Sequence, residues 1–237
     1  MTHRLKTLKY AAMRTLPVLC GYLFLGIAFG LLLQEDGYDF RWALLISASV
    51  YAGSMQFVML GFLGSGISLL SVALMTLSVN CRHIFYGLSM LSTYKGMGRA
   101  FPYMVFSLTD ETYSLLISPE PIPSELDEKR ARLYISVLDQ FYWVLGSVLG
   151  AALGQIIPFD MTGIDFAMTA LFVVIFVDQW KGAKSHLPAL TGGVCAVVSL
   201  LLFGTDAFLL PALCATCVLL LAERTAISRK EEIAHDA

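Results

Sequence analysis

Runs of mainly apolar residues, each near the twenty or so that a helix needs to cross a bilayer, follow one another along nearly the whole chain. They fall at 15–33, 42–63, 67–91, 101–117, 132–157, 163–180, 187–203 and 205–221. The expected fold class is therefore all-α: a polytopic transmembrane helix bundle of about seven or eight spans, one transporter-like domain over 1–237. Two runs are irregular. The 67–91 run has a polar break, and 101–117 is short and carries two acids. Both fit broken or re-entrant helices, which a membrane protein tolerates where the backbone is buried in protein or lines a cavity.

Composition excludes a water-soluble reading of the same runs. Hydrophobic residues make up 57% of the 237 and charged residues 14%, against about 45–50% and about 25% in globular proteins. A soluble chain of this size still needs a polar skin, a demand that lipid removes. The net charge of −2 gives no sign of nucleic-acid binding or of a polybasic tether. Charges gather in the N-terminal arm, in short gaps between runs and in the tail Glu223–Ala237, which reads as a solvated end. The apolar run from Leu16 to Leu33 follows Arg4, Lys6, Lys9 and Arg14. It is longer than a signal-peptide core and has many successors, so it is read as a first span that also directs insertion.

Lysine and arginine favour the cytoplasmic side. That rule places both termini in the cytoplasm, the acidic loops Gln34–Arg41 and Pro158–Asp165 outside, and the loops Ser118–Ala131 and Trp180–His186 inside. The basic loop Tyr94–Arg99 disagrees with eight simple spans, and it lies beside the two irregular runs. Five cysteines, Cys20, Cys81, Cys195, Cys214 and Cys217, all stand in apolar stretches. They are read as packing residues, including the Cys214-x-x-Cys217 pair, which has no βαβ pattern around it.

An internal repeat is suggested by two similar passages. Gly26-Ile-Ala-Phe-Gly30, a polar loop, Asp39-Phe40 and a span ending near Gln56 resemble Gly150-Ala-Ala-Leu-Gly154, a polar loop, Asp165-Phe166 and a span ending near Gln179. The expected half-repeats are 15–117 and 132–221. The glycines Gly146, Gly150 and Gly154 make a small-residue stripe, which lets two helix backbones approach closely.

Two polar stretches sit in the middle of runs. The first is Ser78-Val-Asn80-Cys-Arg82-His83. An arginine at the bilayer centre costs at least about 2.5–3.5 kcal/mol unless it faces protein or water. Asn80 and His83, three apart, share a helix face. The second is Thr109-Asp110-Glu111, whose adjacent carboxylates repel each other and need a nearby cation. Arg82 is the expected partner of Asp110 or Glu111. Gln56 lies deep in the second run, Asp139 and Gln140 in the fifth, and Asp178 and Gln179 end the sixth. No motif singles out Ser54 as a nucleophile. Cys81 and His83, two apart, point to different sides of one helix, and no phosphate-binding glycine loop occurs. No enzymatic activity, cofactor or metal is expected.

The segments Pro17 with Gly21 and Gly26, Tyr51-Ala-Gly-Ser-Met-Gln56-Phe, Asn80-Cys-Arg82-His83 followed by Tyr86-Gly87, and Thr109-Asp110-Glu111 resemble the AzlC family, the large subunit of branched-chain amino acid exporters of the azaleucine-resistance type. The resemblance is strongest over 15–115. It implies a bacterial inner-membrane exporter of valine, leucine, isoleucine and often methionine, driven by an ion gradient. It also implies a small hydrophobic AzlD-type membrane subunit as partner. On this reading Asp110 or Glu111 holds the substrate ammonium, and Arg82, Asn80 and Gln56 hold its carboxylate. Asp110 or Glu111 is the expected coupling group, with His83 next. The alternatives are an ion channel or a transporter of another small solute, and a structural membrane subunit. Flux without saturation marks a channel, and no flux at all marks a structural role.

Overall fold

The computed structural model describes residues 3–64, 66–117, 122–156, 185–205 and 214–222, with scattered positions between 163 and 212. All regular structure among them is helical: α1 (His3–Arg14), α2 (Leu16–Glu35), α3 (Phe40–Ser49), α4 (Gly53–Leu60), α5 (Leu69–Lys95), α6 (Phe101–Phe106), α7 (Asp110–Ile117), α8 (Glu128–Ile156) and α9 (Leu187–Phe203). These residues form two compact units, one of Met1–Gly66 and Asn80–Met168, the other of Ile67–Val79 and Thr169–Ala237.

The first unit is built on α2 and α8. Both are long and apolar enough to cross a membrane. Their contact is made by glycine. A Cβ on Gly30 would come within 2.1 Å of the Ser147 carbonyl oxygen, and one on Gly150 within 2.2 Å of the Ile27 carbonyl oxygen. Gly26 and Gly146 are less tight, with the nearest backbone atoms 3.0 Å from such a Cβ. The two glycine stripes therefore bring backbone against backbone, where dispersion contacts hold helices together without any hydrophobic drive from lipid. Aromatic rings close the seam beside them: Trp143 lies edge-on to Tyr22 at 5.4 Å and stacks with Phe29 at 6.4 Å between centroids.

Helix α1 precedes this pair as a separate element. Its Thr7 and Ala11 are fully buried while Leu5, Leu8 and Met13 are exposed. Thr15, where it meets α2, bonds the Tyr142 hydroxyl at 3.2 Å. Pro17 at the start of α2 explains the division, since proline is accepted in a first helical turn and not in an interior.

The expected spans at 42–63 and 101–117 are each divided. Helix α3 starts on Asp39, whose side chain accepts from the Arg41 and Trp42 amides, and stops at Ser49. Tyr51 then has φ +30°, a conformation costly for a residue with a Cβ, and α4 begins at Gly53. The interrupted end of α3 has carbonyls short of helical donors, and two glutamines bond there: Gln140 Nε2 donates to Ala48 O, and Gln56 Nε2 joins the Val50 amide on Ile46 O, both glutamine bonds at 3.2 Å. The second break, at 107–109, ends in Thr109. Its hydroxyl accepts from the Thr112 amide at 3.3 Å and caps α7. Asp110 and Glu111 in the first turn of α7 suit the positive end of the helix dipole.

Leu69–Leu77 and Val79–Lys95 form a bent pair that counts as a third crossing if taken as one span. In the second unit α9, of 17 residues, corresponds to the expected 187–203 run. Leu190, Val194, Val197 and Leu201 are exposed along it, while Cys195 and Ser199 are buried. Such an apolar stripe suits lipid. The runs at 163–180 and 205–221 lie largely or partly outside the described residues, as do Asp165, Asp178 and Gln179 and hence most of the second copy of the suggested repeat beyond Gly150–Gly154.

Candidate functional site

From α5, Arg82 reaches the first turn of the half-helix that follows each break. One terminal nitrogen of its guanidinium pairs with Asp110 Oδ2 at 2.8 Å, and the other donates to Ser54 Oγ at 2.8 Å. Ser54 is the second residue of α4 and Asp110 the first of α7. The ion pair is enclosed but not sealed: the side chains keep 28% and 21% of their accessible surface. The α5–α7 contact that sets this register is aromatic. Tyr86 stacks on Tyr113 at 4.5 Å, and the Tyr113 hydroxyl bonds Ser89 Oγ at 2.9 Å.

His83 follows Arg82 on α5. Its Nδ1 donates to the Asn80 carbonyl oxygen at 3.2 Å, and its ring lies 5.9 Å from Tyr86. Asn80 Oδ1 is enclosed and has no hydrogen-bond partner among the described residues, which leaves it available as an acceptor. Gln56 stands apart in its bonding. It is fully buried, its Oε1 accepts from Trp143 Nε1 at 2.7 Å, and its Nε2 is engaged by Ile46 O. The structure thus brings Arg82, Asp110 and Ser54 together, keeps Asn80 and His83 within two residues of Arg82 on α5, and commits Gln56 to holding the α3–α4 break against α8.

Glu111 takes a different partner from Asp110. It faces α2, where the Tyr22 hydroxyl lies 2.7 Å from Oε2. The same hydroxyl is 2.7 Å from Thr109 Oγ1. Thr109 lies 3.1 Å from Thr112 Oγ1, and Thr112 donates to Asp139 Oδ2 at 2.8 Å. Asp139 is fully buried in α8, and its Oδ1 has no partner among the described residues. Tyr22, Ser54, Thr109 and Thr112 are absent from the site expected from sequence. Tyrosine, serine and threonine do not stand out in apolar runs, and only the Thr109-x-x-Thr112 spacing before a helix offered a signal.

A helical protein that places an enclosed ion pair where helices are interrupted has the construction by which secondary transporters form binding sites. The AzlC protein family matches residues 17–157, and the chain belongs to that family. It is 38% identical over 217 residues to the Bacillus subtilis branched-chain amino acid transport protein AzlC, covering 92% of this chain and 85% of that one. An uncharacterized membrane protein of Helicobacter pylori is 43% identical over 209 residues, 88% of this chain and 91% of the relative. The Escherichia coli inner membrane protein YgaZ is 26% identical over 210 residues, 86% and 85% of the two chains. No solved structure matches. The chain is a membrane protein of a transporter family.

Proposed function

We infer that this protein exports branched-chain amino acids, valine, leucine and isoleucine with methionine as a further substrate, across a bacterial inner membrane. Export draws on an ion gradient and needs a small AzlD-type membrane subunit. Both ends lie in the cytoplasm, which requires an even number of crossings, about eight, with any further apolar segment re-entrant.

The observation that carries this reading is the Arg82–Asp110 pair at 2.8 Å, held between two half-helix starts and partly accessible. A zwitterion presents a carboxylate and an ammonium a few bonds apart. It can exchange both charges with such a pair at once, the carboxylate taking the guanidinium and Ser54 Oγ, the ammonium taking Asp110. The first turns of α4 and α7 add backbone donors for the carboxylate. A branched side chain then needs only apolar walls. The likeness to the Bacillus subtilis transporter over 92% of the chain supports the substrate class.

The deciding measurement is uptake of labelled leucine into inverted vesicles, with and without the small subunit, under imposed ion gradients. Saturable, gradient-dependent accumulation that competes with valine and isoleucine is expected. Leucine flux that neither saturates nor responds to a gradient, or no flux with both chains present, overturns the reading.

A further inference from the structure

The oxygens linking Glu111 to Asp139 form an unbroken series: Glu111 Oε2, Tyr22 OH, Thr109 Oγ1, Thr112 Oγ1, Asp139 Oδ2. The spacings are 2.7, 2.7, 3.1 and 2.8 Å. Hydrogen bonding along the whole series takes one proton in each of four contacts, and the three hydroxyls supply three. With both carboxylates ionised one contact goes unbonded, and the Thr109–Thr112 pair at 3.1 Å is the widest. A series bonded throughout holds its fourth proton on a carboxyl group. If Glu111 carries it, the hydroxyls all donate toward Asp139. If Asp139 carries it, they all donate toward Glu111.

We propose that Glu111 and Asp139 share one proton through Tyr22, Thr109 and Thr112, and that this relay is the proton-coupling path of the transporter, with Asp139 as its inner terminal.

The surroundings agree. Arg82 and Asp110 face Glu111, and Arg82 is already paired with Asp110. Among the described residues the titratable neighbours of Asp139 are Glu111, Tyr22, Tyr51 and Tyr103, and none of these is a cation. A buried carboxylate without a counter-charge is strongly disfavoured, so Asp139 suits a proton acceptor. Its Oδ1 is buried with no partner among the described residues, so Oδ2 is the oxygen at which the series ends. When a proton joins Glu111 at its second oxygen, Oε2–H passes its proton to Tyr22, Tyr22 to Thr109, Thr109 to Thr112 and Thr112 to Asp139. Every oxygen keeps its valence, and one proton crosses from α7 to α8. An ammonium arriving beside Asp110 stabilises an ionised Glu111 one residue away and moves the shared proton to Asp139. Substrate occupancy and proton position are thereby linked.

This proposal rests on the export reading for its purpose, but its chemistry is tested without transport. Infrared spectroscopy of the purified full chain at neutral pH should show the C=O stretch of a neutral carboxyl group. Asp139→Asn and Glu111→Gln should each abolish it, because an amide N–H supplies the fourth proton and leaves the other acid ionised. In Thr112→Val the band should persist, and it should lose the response to added leucine that the wild type gives. In liposomes, leucine counterflow should survive Asp139→Asn and Thr112→Val, whereas accumulation driven by a pH gradient should be lost. A carboxyl band that remains in both single amide variants, or wild-type gradient-driven accumulation in Asp139→Asn, overturns the relay. If the wild type shows no leucine counterflow, the export reading fails, and the infrared result alone then decides the shared proton.

Discussion

Arg82→Met removes the guanidinium and keeps an unbranched apolar stem, leaving Asp110 in a half-enclosed site without its partner at 2.8 Å. Two unit charges about 4 Å apart attract by about 4 kcal/mol at an effective dielectric constant near 20. Breaking an enclosed pair from one side costs about 3–5 kcal/mol. With 28% and 21% of the two side chains still accessible, the lower end applies, and a loss of about 3 kcal/mol is expected. Asp110→Asn should cost less, about 2 kcal/mol, because Arg82 retains Ser54. The double variant leaves no stranded charge. It should lose about 2–3 kcal/mol, well short of the sum of about 5. Reversible unfolding of the purified protein in mixed micelles, followed by tryptophan fluorescence, gives all three values. A double variant within about 0.5 kcal/mol of the sum would mean that the pair contributes no mutual stabilisation, and the site argument would lose its centre.

Gly150→Ala places a Cβ 2.2 Å from the Ile27 carbonyl oxygen and should cost at least about 2 kcal/mol by overpacking, while Gly21→Ala, with open space around it, should be neutral or slightly stabilising; thermal unfolding in detergent compares them. Trp143→Phe deletes the donor to buried Gln56 Oε1 and should destabilise by about 1–3 kcal/mol in the same assay, whereas an unchanged midpoint would show that bond to be dispensable. Ser54→Ala frees one end of Arg82 and should raise the KM for leucine about fivefold, the equivalent of about 1 kcal/mol, with little change in maximal rate; an unaltered KM would remove Ser54 from the site.

The parts of this fold that were legible in sequence are those written in charge and hydropathy. Helices α2 and α8 follow from uninterrupted apolar runs. The α2–α8 seam follows from glycines one turn apart, and the Arg82–Asp110 contact from an arginine and an acid that neither lipid nor an apolar core would accept alone. Helix α8 begins at Glu128 and not at 132, because the Glu128–Arg132 pair at 2.8 Å carries the helix beyond its apolar part. The α3–α4 break was not legible. No proline marks it, and the side chains that bond the end of α3, Gln56 and Gln140, stand 10 and 92 residues from the carbonyls they meet. The hydroxyl series was hidden for a related reason. Tyr22 and Thr109 are 87 residues apart, and nothing local to either announces the other.

The backbone contact between α2 and α8 also decides which parts can move. Neither helix can rotate on its axis without driving a carbonyl into its neighbour, so the two act as a stator. Tyr22 and Asp139 are fixed to it, whereas Glu111, Thr109 and Thr112 ride on or just before α7, a short segment hinged at 107–109. A displacement of α7 by little more than an ångström would open the contacts on both sides of it together. On the proposed relay the half-helix would serve as the blade of a switch, closing the series in one position and opening it in the other.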